Sequence, residues 1–261
     1  MNVLPTLRIE DVPSIGHIEA MALARSQNAI FLEELRALDP EDWDRPTACE
    51  LWTVKDIASH LLGWAEGLTS PAEGARQLRA AIGMRKRFEN FTDAQNQVQV
   101  EARSVLAPEV LIDRLQIALP RFLRLRDRVG RWGRVIPIYN ALFGVANLRF
   151  VADFIFTRDL FMHRIDIARA TGRTLNVGAD ERRLIHDIVR EWAQRSGADC
   201  TLTLEGEADA RLSCGSGTRA ALSANTLDLC GLFAGRGSVD VVTIEGDARA
   251  ALRWLEVGVR F

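Results

Sequence analysis

Apolar residues recur every three or four positions along most of the chain up to Arg173, which is the period of amphipathic helices. The stretches SIGHIEAMALARSQNAIFLEELRAL and TVKDIASHLLGWAEGL each predict one helix, and the charged segment from Pro71 to about Arg134 predicts one or two more. The stretch NLRFVADFIFTRDLFMHRIDIARATG predicts a further helix, and Gly172 suits its end because glycine readily adopts a left-handed conformation. About four main helices are enough for a helical bundle.

The pattern becomes mixed after Arg173. Two stretches, DERRLIHDIVREWAQRSG and TLDLCGLFAGRG, predict helices, and DARAALRWLEVG predicts a closing helix. Short strands with turn glycines are predicted by CTLTLEG, ARLSCG and VDVVTIEG. We therefore expect a mainly α fold with an α+β part: a helical bundle over residues 1–173 and a small α+β domain over residues 174–261.

Polar residues interrupt the apolar face of the last bundle helix. On a helical wheel Asp159 and His163 fall near the centre of that face, and Asp166 falls inside it. Asp159 and His163 are four residues apart, so their side chains meet. Burial of a lone carboxylate costs several kcal/mol, and three arrangements would compensate for it. The pair can be a hydrogen-bonded ion pair, one member can pair with an arginine from another helix, or both can bind a metal.

The second predicted helix supplies a third candidate ligand. His60 lies on the shoulder of its apolar face, while Thr53 and Asp56 match the pattern of an N-terminal capping box. Asp56 also precedes His60 by one turn and could orient its ring. His60, Asp159 and His163 would form a set of two histidines and a carboxylate, which leaves open positions on a metal. On spacing alone, an ordinary histidine and a plain Asp–His ion pair stay open as alternatives.

Composition and charge narrow the classes of partner. The 261 residues carry a formal net charge of −2 and 48% are hydrophobic, so a large core can be buried. The negative balance argues against general nucleic-acid binding. Arginines recur from Arg114 to Arg134, Arg126 among them, but Asp113 and Asp127 interrupt the run and aromatic residues are sparse. A solvated helix face is the better interpretation of this run.

The amino terminus does not suggest a signal peptide, and the longest apolar run does not suggest a membrane span. The start MNVLPTLRIEDVPSI lacks a long apolar segment, and the run from Val135 to Leu148 contains Pro137 and Gly144. A membrane span needs about 20 apolar residues, so this run is too short. The 4 cysteines form no CxxC pair and are expected to be free thiols. We expect a soluble, cytoplasmic protein with no membrane partner, and its oligomeric state stays open.

Three stretches resemble one known family. RPTACELWTVKDIASHLLGW resembles a block with Pro-Thr-x-Cys, Trp-Thr-Val and Asp-(x)₃-His, and RDLFMHRIDIARATGR resembles a block with an acidic residue, His and Asp before Ala-Thr-Gly-Arg. LDLCGLFAGRG resembles a leucine-rich helix that ends in Gly-Arg. Together they resemble the mycothiol-dependent maleylpyruvate isomerase family, within the DinB-like metal-binding helical bundles, over essentially the whole chain.

The resemblance implies a four-helix bundle with a divalent metal, commonly zinc, followed by a C-terminal domain similar to sterol-carrier folds. The metal ligands would be His60, Asp159 and His163. The family's better-known isomerases carry Glu at the position of Asp159, so metal affinity or geometry can differ here. The loop before Trp52 reads CELW where CPGW is frequent.

The chemistry implied by the resemblance is activation of a low-molecular-weight thiol, mycothiol, as a thiolate. The thiolate would attack a small electrophilic substrate, with isomerase or S-transferase outcome. A protein that keeps the bundle but only binds a metal or an apolar ligand is the alternative. The residues themselves identify neither the electrophile nor the thiol, and they assign no catalytic group beyond the candidate ligands.

Overall fold

The computed structural model describes residues 5–49, 51–140, 144–259 and 261. These residues form two compact units. One unit spans Gly16–Arg173, and the other combines residues 5–15 with Thr174–Phe261. Residues 5–15 therefore group with the C-terminal unit, although the sequence pattern had assigned residues 1–173 to the bundle.

The first unit is helical. Its elements are α1 (His17–Arg36), α2 (Val54–Thr69), α3 (Pro71–Met84), α4 (Phe91–Glu101), α5 (Pro108–Trp132), α6 (Leu148–Phe150), a π-helical turn (Val151–Ile155) and α7 (Phe156–Thr171). The segment from Pro71 to Arg134 contains three helices, where the pattern predicted one or two. Local signals explain the divisions: Asn90 caps α4 by accepting from the Asp93 amide, and Pro108 opens α5.

The four longest helices of this unit share one core. Buried apolar side chains of α1, α2, α5 and α7 meet there, and α3 and α4 form a smaller cluster of their own. Burial of such side chains contributes about 1.5–3 kcal/mol each. The main core includes Phe31, Leu35, Ile57, Leu62, Leu111, Leu115, Leu160 and Ile167.

A π-helical turn joins α6 to α7. Arg126 of α5 donates to the carbonyl oxygen of Ala152 in this turn at 2.7 Å and to Thr157. Asp153, also in the turn, accepts a hydrogen bond from His17 Nδ1 at 2.8 Å. Arg126 is buried, and burial lowers the pKa of its guanidinium to about 10. The expectation that the arginine run forms a solvated face is thus wrong at Arg126, which is a structural contact of the helix that carries Asp159.

The apolar run from Val135 to Leu148 contains a two-stranded hairpin. Strands β2 (Pro137–Asn140) and β3 (Gly144–Asn147) pair antiparallel, and Tyr139 and Val145 are exposed. Residues 141–143 lie outside the described part. Among the described residues no helix is long and apolar enough to cross a membrane.

The second unit is a mixed sheet with helices. Strands β1 (Thr6–Arg8), β4 (Cys200–Glu205), β5 (Ala210–Cys214), β6 (Ala220–Asn225) and β7 (Thr243–Gly246) have the order β1-β5-β4-β6-β7. Its helices are α8 (Ala179–Ser196), α9 (Thr226–Phe233) and α10 (Ala248–Leu255). Trp192 is fully buried, stacks on Phe233 at 4.9 Å and donates to the Trp254 carbonyl. The helical domain followed by an α+β region was predicted, whereas β1 and β6 were not.

We expect residues 16–173 to fold as an isolated piece with a cooperative thermal transition, because the core described above lies within them. A piece of residues 174–261 lacks β1, which leaves the edge of β5 unpaired. That piece should melt below a matched one in which residues 5–15 are joined to it by a flexible linker. Circular dichroism melts measure both, and equal melting temperatures for the two C-terminal pieces would contradict the role given to β1.

Candidate metal centre

The three predicted ligands come together inside the bundle. His163 Nε2 lies 3.4 Å from Asp159 Oδ1, and His60 Nε2 lies 3.6 Å from Asp159 Oδ2. The two imidazole rings meet edge to face with centroids 5.3 Å apart. Their donor atoms all lie within 4.8 Å of one another, as binding of one ion requires. The polar residues on the apolar face of α7 therefore face a histidine of α2.

Burial differs among the three residues. His60 is 3% exposed and His163 is 1% exposed. The side chain of Asp159 is 21% exposed, so Asp159 is the most accessible of the three residues. An ion held here would be reached from the Asp159 side.

The spacing of the donor atoms suits a shared ion better than direct hydrogen bonds. N–H···O bonds have donor–acceptor distances of about 2.7–3.2 Å, and both separations from Asp159 are longer. Donor atoms about 2.1 Å from a tetrahedral zinc ion lie about 3.4 Å apart, which is close to the 3.4 and 3.6 Å that separate the two histidines from the two oxygens of Asp159. These residues therefore fit a divalent ion with nitrogen and oxygen ligands.

The other ring nitrogen of each histidine has its own partner. His60 Nδ1 lies 3.0 Å from Gln99 Oε1, and His163 Nδ1 lies 3.2 Å from Asp166 Oδ2. Metal-binding histidines nearly always donate from the second nitrogen in this way, which fixes the ring and its tautomer. Gln99 of α4 was not anticipated from the sequence, because its role depends on a contact between separate helices.

Asp56 does not orient His60 as the sequence suggested. Its carboxylate accepts from the Thr53 amide at 2.9 Å and from the Thr53 hydroxyl at 2.8 Å. The predicted capping box is therefore present, and it occupies the carboxylate. The residue that contacts the Nδ1 atom of His60 is Gln99 instead.

A second group of donor atoms lies on the far side of His163. The thiol of Cys49 donates to Asp166 Oδ2 at 3.3 Å and lies 3.8 Å from His163 Nδ1. Cys49, His163 and Asp166 are close enough to bind an ion as well. Each group has one half-buried member, Cys49 here and Asp159 in the first group. Cys49 and Asp166 both lie at the Nδ1 atom of His163, whereas Asp159 of the first group lies at its Nε2 atom. We therefore interpret Asp166 and Cys49 as supports of His163.

Electrostatics favour a cation at this centre. Burial lowers the pKa of His60, while Asp159 and Gln99 only partly oppose that effect. For His163, burial also disfavours the charged ring, but Asp159 and Asp166 outweigh it and raise the pKa well above the usual value. Burial alone would raise the pKa of Asp159, yet His163 and His60 hold it well below its usual range. A carboxylate thus remains charged here, balanced by a proton on His163 when no metal is bound.

Metal uptake should therefore release a proton from His163, and the apparent affinity should rise with pH up to its raised pKa, about tenfold per pH unit. The stability of the metal-free protein should instead fall as pH rises. The contribution of His163 is complete below about pH 6.5, its unfolded pKa, and is lost as pH rises through the folded pKa. Calorimetric titration in buffers of different ionisation enthalpy counts the protons, with His186→Gln as the control. Affinity independent of pH would contradict the assignment.

Aromatic rings border the centre. The Trp52 ring lies 4.8 Å from His60 and 6.0 Å from His163, and Trp64 lies 6.4 Å from His60. Phe156, one turn before Asp159 on the helix, packs edge to face against Trp64. Such a wall lowers the local dielectric constant and strengthens the interaction between the donors and a cation.

The bundle, the three converging donors and their outer partners define a helical protein with a candidate metal centre. Residues 24–168 match the family described as the mycothiol maleylpyruvate isomerase N-terminal domain. This match spans 145 of the 261 residues, and the chain belongs to that family. The resemblance found in the sequence motifs is thereby confirmed.

The structure is also similar to the crystal structure of the mycothiol-dependent maleylpyruvate isomerase and to that of a mutant of that enzyme. Each has a TM-score of 0.55 and 18% sequence identity, and each comparison covers 92% of this chain and 96% of that chain. At this identity the likeness shows the fold, which agrees with the predicted fold class. No curated protein matches the chain.

Proposed function

We propose that this protein is a metal-dependent enzyme that uses mycothiol as a thiolate nucleophile towards a small electrophile. The observation that carries the proposal is the convergence of His60 Nε2, His163 Nε2 and the Asp159 carboxylate at the spacing of metal ligands. Membership of the mycothiol maleylpyruvate isomerase family supports the choice of thiol. The similar solved structures, which are of a mycothiol-dependent maleylpyruvate isomerase, support it as well.

The donor set indicates which role a metal would have. Zinc with three protein ligands keeps a fourth position for a water molecule or substrate, as in catalytic sites. A bound divalent ion would lower the pKa of a coordinated thiol so that the thiolate is present at neutral pH. His60, Asp159 and His163 supply two neutral donors and one negative charge, so the ion would retain a net positive charge for the thiolate.

The chain's own residues would position the reactants and exclude water. Trp52, Trp64 and Phe156 form the apolar border of the centre, and each is only partly buried. The partly exposed carboxylate of Asp159 marks the side from which the thiol enters. Water kept out by these rings would otherwise weaken the interaction between the thiolate and its electrophile.

Two outcomes of the same addition are open to such a site. After the thiolate sulfur adds to an electrophilic carbon of a double bond, rotation and loss of the thiol give the geometric isomer. If the carbon–sulfur bond is kept, the product is an S-conjugate. The family supports isomerisation, and we propose it as the first activity to assay. We propose that the protein acts in the cytoplasm, where thiols remain reduced.

Thiol titration of the metal-loaded protein tests the proposal. With cobalt in place of zinc, mycothiol should produce a sulfur-to-metal charge-transfer band, and the band should be absent from the His60→Ala, His163→Ala double variant. Glutathione serves as the comparison thiol. A protein that retains metal but gives no band with either thiol would overturn the enzyme and leave a metal-binding protein. Thiol binding that survives removal of the metal would overturn the mechanism.

A further inference from the structure

The tautomer of His60 decides whether its Nε2 atom can bind a metal. A neutral imidazole carries its proton on one nitrogen only, so a free lone pair on Nε2 requires a proton on Nδ1. His60 Nδ1 lies 3.0 Å from the side-chain amide of Gln99. If the oxygen of that amide faces the ring, Nδ1 must carry the proton; if the nitrogen faced it, Nδ1 would accept. The orientation of Gln99 therefore sets the tautomer.

A chain of hydrogen bonds fixes the orientation of Gln99. The other polar atom of the Gln99 amide lies 3.3 Å from the amide of Gln77. The amide of Gln77 in turn lies 3.0 Å from the Gly63 carbonyl oxygen and 3.0 Å from Glu73 Oε1. The carbonyl oxygen of Gly63 can only accept. Glu73 also only accepts, because bonds from Arg76 and other partners lower the pKa of its carboxyl to about 2. Gln77 must therefore present its NH₂ group to both acceptors.

The remaining orientations follow in order. With its nitrogen towards Gly63, Gln77 has its oxygen towards Gln99, so Gln99 must donate through its own nitrogen. The oxygen of Gln99 is then left for the ring of His60. Each assignment rests on the fixed acceptors at the start of the chain, the Gly63 carbonyl oxygen and the Glu73 carboxylate.

Close packing holds both glutamines in place, and their hydrogen-bond partners disfavour a reversed amide. Gln99 is 0% exposed and Gln77 is 3% exposed. A Cβ atom at Gly63 would lie 2.4 Å from Gln99 Cβ, and one at Gly67 would lie 2.7 Å from Gln77 Oε1. Only glycine lets α2 approach the two glutamines this closely. A reversed amide would place two donors or two acceptors together in a dry interior, which is costly.

We propose that Gln77 and Gln99 are positioning residues that hold His60 with its proton on Nδ1 and its Nε2 lone pair towards the candidate metal position. The Asp159 carboxylate competes for a proton on Nε2, but its Oδ2 atom lies 3.6 Å away, beyond hydrogen-bond distance, whereas Gln99 lies 3.0 Å from Nδ1. The relay begins at the Gly63 carbonyl and Glu73 and ends at the ring. Its use for metal binding rests on the proposed function, but the tautomer itself is a property of the metal-free protein. The two can therefore fail separately.

The test is nitrogen-15 NMR of the imidazole side chains in the metal-free full-length protein. The chain has only 4 histidines, so single substitutions assign the signals. In the unaltered protein His60 should show a proton on Nδ1. In Gln77→Leu, which does not alter Gln99 or His60 themselves, the tautomer should become mixed or reversed. Zinc affinity, from competition with a chromophoric chelator, should fall about 10–100-fold.

Matched variants separate positioning from general damage. Gln97 lies on the same helix as Gln99 and bonds to Glu101 at the surface. Gln97→Leu should therefore change neither the tautomer of His60 nor the zinc affinity. Gln99→Met keeps the length of the side chain without its polar atoms, and it substitutes for Gln77→Leu if that variant does not fold. The inference is overturned if His60 carries its proton on Nε2 in the unaltered protein. It is equally overturned if a folded relay variant keeps both tautomer and affinity.

Failure of the proposed function gives a different result. If the unaltered protein bound no zinc while His60 still showed the Nδ1 proton and lost it in the relay variant, the relay would stand and the metal centre would not. If zinc bound tightly and the relay variants were indistinguishable from the unaltered protein, the opposite conclusion would hold.

Discussion

Replacement of His60 and His163 by alanine together should abolish binding of a divalent ion by the full-length protein. The double variant leaves Asp159 as one carboxylate of the three-residue group, and a single ligand does not hold such an ion against water. Elemental analysis of purified protein measures the metal content directly. Metal content equal to that of the unaltered protein would eliminate this site.

Two controls make the result specific. His186→Ala removes a histidine that lies in the other unit, and it should leave the metal content unchanged. Cys49→Ser tests the second group of donor atoms, formed by Cys49, His163 and Asp166. We expect Cys49→Ser to retain metal, because Cys49 contacts His163 only from its Nδ1 side. Loss of the ion in Cys49→Ser would move the centre to that second group.

Asp159→Asn should weaken metal binding by one or more orders of magnitude, since loss of even an outer partner of a ligand costs about 10–100-fold. The amide keeps the shape of the side chain but removes the negative charge between the two histidines. If Asp159 is a ligand, the variant should lose more stability with zinc present than after chelation, because only the metal-loaded protein also loses binding free energy of the ion. In the metal-free protein the loss is limited to the pair with His163. Its distances of 3.4 and 3.6 Å from the histidines favour this outcome.

A purely structural ion pair would give the same loss of stability under both conditions. Asp159→Asn would then destabilise the protein equally with and without chelator, because His163 would remain buried without its partner. Thermal melts of the variant and the unaltered protein under both conditions distinguish the two cases. Asp159→Glu is the companion variant and should retain the ion. Complete loss of metal in Asp159→Glu would show that the centre requires the shorter side chain.

The convergence of the three candidate ligands could be predicted because its signals are local. Asp159 and His163 stand out on one helix as polar residues within an apolar face, and His60 stands out on another. Their convergence follows once both helices bury those faces in one core. The outer partner Gln99 could not be predicted, because the contact depends on how closely α4 approaches α2 at Gly63. Asp56 was a reasonable candidate for the partner of His60 by spacing, but its carboxylate accepts hydrogen bonds from Thr53 in the capping box of α2.

In the fold, too, features with a local sequence pattern could be predicted and features that depend on distant contacts could not. The main helices carry a period of three to four residues in the sequence and were found from it. Strand β1 has three exposed residues and pairs with β5 across about 200 positions of the chain, so no local pattern marks it. Strand β6 contains small residues, Ala220 and Ala224 among them, and lacks the β-branched residues that usually indicate a strand.

The widened turn at Val151–Ile155 affects how related sequences should be aligned with this one. Each residue advances an α-helix by about 100°, and a π-turn accommodates one residue more than a regular turn would. Deletion of one residue there would keep Asp159 and His163 in register with each other but rotate Asp153 away from His17 by about 100°. In an alignment, a one-residue gap therefore belongs within this turn. Relatives that carry the gap should also have lost the histidine–aspartate contact, while their acidic and histidine ligands remain four positions apart.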